Sequence, residues 1–354
     1  MSLATLPLEL MDEIASHASS ASLKKLALLG DTSLHRAALR QLYRVVQIDS
    51  VSVLEGFCNT LELRADVHAS LRNLTINIDD SFMFCGQLGA VSTRIERLAT
   101  LRFHTLTSLA TRSALIMSLF VSADAAFPSL TSLAAPLFPE LPAFLTAHCG
   151  IEHLHITCTP FAESDTEFKE AMIPATPPLP RLRVLHAPEW LVASLLLATP
   201  HTPLEKLTII WTHPYARFTG RLSVIQQQFT CECLDHICHT AATTQLHHVG
   251  HILHGWTAVD PVHIAQAFPH LASLSFRGAA PVAPLTRLGS HGLPGADIEW
   301  FSARLRAALP LLEEIEQVRL GFEELSPLVE EELDILQEDC RAMYPCLEVI
   351  VEVK

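Results

Sequence analysis

One spacing recurs along most of this chain: an apolar residue, two variable ones, an apolar residue, one variable one, an apolar residue. It occurs at Leu71, Leu74, Ile76; Leu98, Leu101, Phe103; Leu130, Leu133, Ala135; Ile151, Leu154, Ile156; and Leu182, Leu185, Ala187. It returns at Leu204, Leu207, Ile209; Leu271, Leu274, Phe276; and Ile315, Val318, Leu320, with a weak copy at Leu246 and Val249. The second and third apolar places are two apart, so on an extended chain they face the same side. The first packs as the chain turns into that strand. A four- or five-residue strand cannot bury such a face alone, so copies must stack. The end of the chain fits two readings: Cys346, Val349 and Val351 keep the spacing, while Leu347, Val349, Val351 and Val353 alternate as a plain strand.

The intervals between copies hold helical patterns at 112–121, 188–198, 262–268, 300–309 and 330–344. A proline stands just before the strand motif in Phe127-Pro128, Leu179-Pro180, Phe268-Pro269 and Tyr344-Pro345. Proline ends a helix and forces the residue before it into an extended conformation. One short parallel strand per unit, with a helix returning on the other side, resembles the leucine-rich repeat. The irregular spacing of the copies is similar to the repeats that follow F-boxes in fungal proteins. Three stretches break the array and are expected as loop insertions, near 159–180, 212–253 and 278–295; the second is expected to contain a helix. Insertions in such arrays map to loops on one face, which often binds.

Composition supports a long continuous core. Hydrophobic residues make up 49% of the chain and charged ones 18%, which argues against disorder. The formal net charge of −14 argues against nucleic-acid binding through bulk charge, which needs clustered Lys and Arg. Acid crowds near the C-terminus, from Glu313 to Asp339, and reads as a solvated helix face and loop. The apolar run Leu191 to Ala198 is too short to span a bilayer. The first residues carry Glu9, Asp12 and Glu13 where a signal peptide needs apolar ones. The expectation is a soluble intracellular protein, cytoplasmic or nuclear, with its scattered cysteines reduced.

The first 48 residues read as three helices running into a strand. Thr5 is a candidate cap for the first, with Pro7 in its first turn, and Leu10 and Ile14 fall on one face. Ser22 is a candidate cap for the second, which carries Leu23, Leu26 and Leu28 and ends at Gly30. The third carries Leu34, Ala38 and Leu42, and Val45 to Ile48 switches to a β-branched run. Leu6-Pro7-Leu8-Glu9-Leu10 with Ile14, then Leu23, Leu26 and Leu28, then Ala38 to Val45, resemble the three blocks of an F-box. One departure is the tryptophan usual in the third helix: the first in this chain is Trp190.

The resemblance implies an α/β protein. A three-helix F-box-like segment over 1–48 would be followed by an irregular leucine-rich-repeat solenoid over 49–354. It implies a substrate-recognition subunit of a cullin-RING ubiquitin ligase acting in ubiquitin-dependent degradation. Leu6, Pro7, Leu8, Glu9, Leu10, Ile14, Leu23 and Leu26 would contact the Skp-type adaptor, and the repeats would hold a protein target. Such a chain does no chemistry itself and takes no cofactor; it acts by proximity. The alternative is a non-catalytic repeat scaffold whose first helices only cap the array.

No catalytic pattern competes with these readings. There is no Gly-x-Ser-x-Gly elbow, His-Glu-x-x-His, P-loop or dinucleotide fingerprint. Asp79-Asp80 reads as surface or cap chemistry. Cys231, Cys233, His236 and Cys238, with histidines to His254, are zinc-ligand residue types, but Cys-x-Cys without a second pair is poor zinc spacing. Leu234, Ile237 and Cys238 also form an ordinary buried stripe, and no metal is expected there.

Overall fold

A computed structural model describes residues 8–28, 32–78, 80, 88–101, 103–157, 176–199, 201–211, 234, 237, 246–253, 259–278, 294–322 and 327–353. The chain divides into two compact units, 1–151 and 152–354. Among the described residues the protein is mixed α/β, and within each unit every strand pairs in parallel with the next strand of that unit. This is compatible with a solenoid-like repeat.

In the first unit, helices α1 (Leu8–Ser16), α2 (Ser20–Leu26) and α3 (Thr32–Leu42) lead into β1 (Val45–Ile48). Helices α4 (Val51–Leu63) and α5 (Ala65–His68) precede β2 (Asn73–Ile76). Helix α6 (Leu88–Thr100) precedes β3 (Ser108–Thr111), and α7 (Ala114–Ser122) precedes β4 (Ser132–Pro136), after which comes α8 (Leu141–Ala147). The second unit holds β5 (His153–Thr157), β6 (Val184–Pro188), α9 (Glu189–Ala198), β7 (Lys206–Ile210) and β8 (His248–Leu253). It continues with α10 (Pro261–Ala267), β9 (Ser273–Gly278), α11 (Pro294–Ala308), β10 (Gln317–Phe322), α12 (Pro327–Met343) and β11 (Glu348–Val353).

The motif lands where its physics requires. Leu154, Leu185, Leu207, Val249, Leu274 and Val318 share one cross-strand row of the second unit, and all are buried. Leu74, Leu109 and Leu133 do the same in the first. Several strand entries repeat one hydrogen-bond device: a single carbonyl accepts two successive N–H groups at the start of the next strand. Arg44 O takes Arg72 N and Asn73 N, Arg183 O takes Glu205 N and Lys206 N, and Glu205 O takes His247 N and His248 N, at 2.8–3.3 Å. The prolines act in the turn just before. Leu130 N donates to Phe127 O, Leu182 N to Leu179 O and Leu347 N to Tyr344 O, at 2.9–3.1 Å, with the proline second in each turn. The apolar run at 191–198 is accounted for by α9, where Trp190, Leu191, Val192, Leu195 and Leu196 are all buried.

Three local expectations need correction. Leu98, Leu101 and Phe103 do not form a strand: Leu98 lies in α6 with its buried neighbours Ile95 and Ala99. A three-residue step is also one helical turn, which produced the false copy. The strand is β3, entered through Leu106 and Leu109, and its third core place is Thr111. That buried hydroxyl accepts from Ser113 N at 3.1 Å, which satisfies it. Second, the array resumes before residue 253: β8 runs in register with β7 and β9, so the weak copy at Leu246 and Val249 is a repeat with His251 in its third place. Third, α2 is capped by Ser19, whose hydroxyl accepts from Ser22 N at 3.2 Å. At the chain end, which fitted two readings, the buried residue is Leu347 and Cys346 is exposed, as the plain alternation has it.

Other readings meet their counterparts. Asp80 is a cap, accepting from Ser113 Oγ and from Ala114 N at the start of α7. The acidic stretch is the wet side of α12: Glu330, Glu331, Asp334 and Glu338 are exposed while Leu333, Leu336 and Cys340 are buried. Cys58, Cys149, Cys340 and Cys346 are free thiols. No helix among the described residues is long and apolar enough to cross a membrane.

Candidate functional site

Two surfaces of the molecule carry unspent chemistry. The first is the outer side of α1. Met11 and Ala15, four apart, are buried with Leu23, Ala37 and Ala38, and Leu26, Ala27, Leu34 and Leu42 close the rim of this small core. Arg40 on α3 donates to Asp12 Oδ1 at 2.8 Å, and Gln41 Nε2 donates to Asp12 O at 3.3 Å, which fixes the rotation of α1. With that rotation set, Leu10 and Ile14 face away from the core, each 49% exposed, and Leu28 is 87% exposed. Leu10 and Ile14 are thus an i, i+4 pair of large aliphatic side chains on one half-exposed face of a short helix.

The sequence-predicted contact residues therefore part company. Leu10 and Ile14 are on the surface; Leu23 is inside the cluster and Leu26 is half-buried against it. Leu6 and Pro7 lie outside the described residues, as do Thr5 and Gly30; Leu8 and Glu9 lie in α1, their side chains outside the description. Cys231, Cys233, His236, Cys238 and His254 also lie outside; Leu234 and Ile237 between them are fully buried.

The second surface is the face of the second unit's sheet opposite its leucine rows. Cross-strand register sets it out in three rows. The first runs His153, Val184, Lys206, His248, Ser273, Gln317, Glu348; the second runs His155, His186, Thr208, Gly250, Ser275, Arg319. The third includes Ile252, Arg277, Gly321 and Glu352. A depression of about 570 Å³ opens here, lined by Lys206, His248, Ser273, Ser275, Arg277 and Arg319 among others. His248 joins two of the hydroxyls: its Nδ1 is 3.0 Å from Ser273 Oγ and its Nε2 is 3.4 Å from Ser275 Oγ. Burial, then the charges of Lys206 and Arg319, hold the His248 pKa below its ordinary value. His155 and His186 lie with ring centroids 3.8 Å apart on neighbouring strands, their planes tilted by 45°. Burial, then His155 and Arg277, bring His186 down to about 4. At neutral pH these imidazoles are uncharged, and the positive charge of the face belongs to Lys206, Arg277 and Arg319.

Glycine shapes this face at two points. A Cβ on Gly250 would stand 2.8 Å from Ser275 Oγ and 3.1 Å from Thr208 Oγ1. One on Gly321 would stand 3.3 Å from Arg277 Cγ, so the arginine stem lies across the bare backbone. None of these residues stands out in the sequence, where they are single polar residues between leucines. The signal available was their position: within each strand they fall at even offsets from one another and odd ones from the core aliphatics.

Behind the face, His251 takes a core place in β8. It is 1% exposed, accepts from Trp211 Nε1 at 3.1 Å through Nδ1, and stacks between Trp211 and Phe276. Burial, with His248 a lesser cause, presses its pKa down to about 3.

No protein-family model matches the chain, and no curated protein matches it either.

Proposed function

We propose that this chain is a non-catalytic recognition subunit. Helices α1–α3 dock a Skp-type adaptor of a cullin-RING ubiquitin ligase in the manner of an F-box. The strand–helix repeats, read as leucine-rich repeats, hold the protein to be ubiquitinated. The observation that carries the reading is the outward pair Leu10 and Ile14, large aliphatics left in water while Met11 and Ala15 on the same helix fill the core. Each is 49% exposed, so burying the rest against a partner would contribute about half of the full side-chain value, roughly 1 kcal/mol each. No chemistry is asked of the chain; transfer is accelerated because donor and target are held together.

A scaffold whose first helices serve only as a cap draws on a different observation: Leu23, Ala37 and Ala38 are committed to internal packing. The two readings separate in one experiment. Purified full-length chain is mixed with a recombinant Skp-type adaptor and complex formation is followed by size-exclusion chromatography. A complex is expected, and the double variant Leu10→Asp, Ile14→Asp should lose it while keeping its circular dichroism and melting temperature. Absence of a complex with the parent chain, or its survival in the double variant, overturns the adaptor reading and leaves the cap.

A further inference from the structure

We propose that the depression on the open face of the second unit's sheet binds a phosphorylated side chain on an extended segment of the target protein. The proposal deepens the reading of the repeats as a target-holding surface and rests on it. Three cations from three strands converge there: Lys206 on β7, Arg277 on β9 and Arg319 on β10. Among the described residues neither Lys206 nor Arg277 has an ion-pair partner, whereas Arg97, Arg183 and Arg304 are each held by a carboxylate. Glu352, the carboxylate of the lining, makes a loose ion pair with Arg319, Oε1 to Nη1 3.7 Å, too long for a hydrogen bond. Arg319 is instead oriented by its own strand, donating from Nε to Gln317 Oε1 at 2.7 Å.

The hydroxyls complete the donor set. A neutral imidazole has one N–H and one lone pair. His248, placed between Ser273 and Ser275, therefore donates to one hydroxyl and accepts from the other. The serine that accepts keeps its own O–H free to donate into the depression. An ammonium, two guanidinium groups and a hydroxyl suit a tetrahedral oxyanion, and charge-assisted bonds of this kind are the strong ones.

Charge also selects the kind of bearer. The chain is −14 overall, so a polyanion such as RNA or an acidic membrane meets repulsion over most of the molecule. A single phosphate on a protein segment meets only the local cations. The open sheet face lets that segment lie extended across the strands.

The test uses the purified full-length chain alone, so adaptor binding plays no part in it. Calorimetric titration with a Gly-Gly-phosphoserine-Gly-Gly peptide is compared with the same peptide carrying serine or glutamate, and with inorganic phosphate. The phosphopeptide should bind tightest of the four. Lys206→Ala and Arg277→Ala should each weaken it about tenfold or more, the usual weight of a charge-assisted contact. Gly321→Ala, which pushes on the Arg277 stem, should weaken it severalfold with the melting temperature unchanged. Arg97→Ala, in the other unit, should leave it as it was. Equal affinity for the serine peptide, or full binding by the Lys206 and Arg277 variants, overturns the site. Glutamate binding as well as phosphoserine overturns the phosphate, and inorganic phosphate binding as well as the peptide overturns the segment. Loss of adaptor binding with this pattern intact would instead refute the ligase reading while leaving the phosphate site.

Discussion

The two units of this protein use the same core and different faces. In the first, the side of the sheet away from the leucines carries Gln47, Thr75, Ala110 and Ala134 in one row, with Asn73, Ser108 and Ser132 in the next. In the second, the corresponding rows carry the adjacent histidines His155 and His186, then Lys206, His248 and Arg319, with Arg277 beside them. The buried rows are interchangeable in kind: Leu74, Leu109 and Leu133 against Leu185, Leu207 and Leu274. Folding constrains the inward places of such a strand and leaves the outward ones free. The titratable and charged outward residues of the second unit come from six successive strands, β5 to β10, and the packing of the core does not require them.

The comparison can be broken in order of size. Leu74→Ala and Leu207→Ala, each removing a fully enclosed side chain, should cost about 2–5 kcal/mol in urea unfolding. A clear inequality between them would mean that the two cores are not equivalent. Acid comes next. His251 is held neutral in the folded protein down to about pH 3, whereas an unfolded imidazole takes a proton near 6.5. Above 6.5 both states are neutral and the residue adds no pH dependence. Between 6.5 and 3 the unfolded chain binds a proton that the folded one refuses, so stability falls by up to about 1.4 kcal/mol per pH unit.

Urea midpoints at pH 7 and pH 5 check this, and His251→Phe should flatten the difference. His148 in the first unit is also depressed by burial, but its bond to Phe144 O opposes that, so removing it should flatten the profile less. The smallest effect is expected on the neutral face. Ala134→Lys should change stability by no more than about 0.5 kcal/mol and create no phosphopeptide binding, because one cation without neighbours is a solvated surface charge. Binding in that variant would show that convergence of cations is not what makes the second face a site.

How far the sequence could be read depended on where the apolar residues stood. Leu154, Leu185 and Leu207 announce their strands because each core place is filled by an aliphatic side chain. Thr111 and His251 hide theirs, since each puts a polar side chain into a core place and satisfies it locally, by Ser113 N in one case and Trp211 Nε1 in the other. The copy at Leu98 was a helical turn with the right intervals. At the N-terminus the order of the apolar blocks was plain, but not their division of labour. Met11 and Leu10 are apolar neighbours, and the bonds from Arg40 and Gln41 to Asp12 go with the rotation that turns Met11 to the core.

The sequence by itself determined the repeated strand, the returning helices, the proline-marked turns between them and the wet side of the acidic helix. All of these follow from spacing along one chain, which periodicity records. The tertiary structure decided that Lys206, Arg277 and Arg319, dispersed over more than a hundred residues, line one depression with the His248 hydroxyl bridge. Parallel register between consecutive strands does that, and register is set by hydrogen bonds between segments that no local pattern contains.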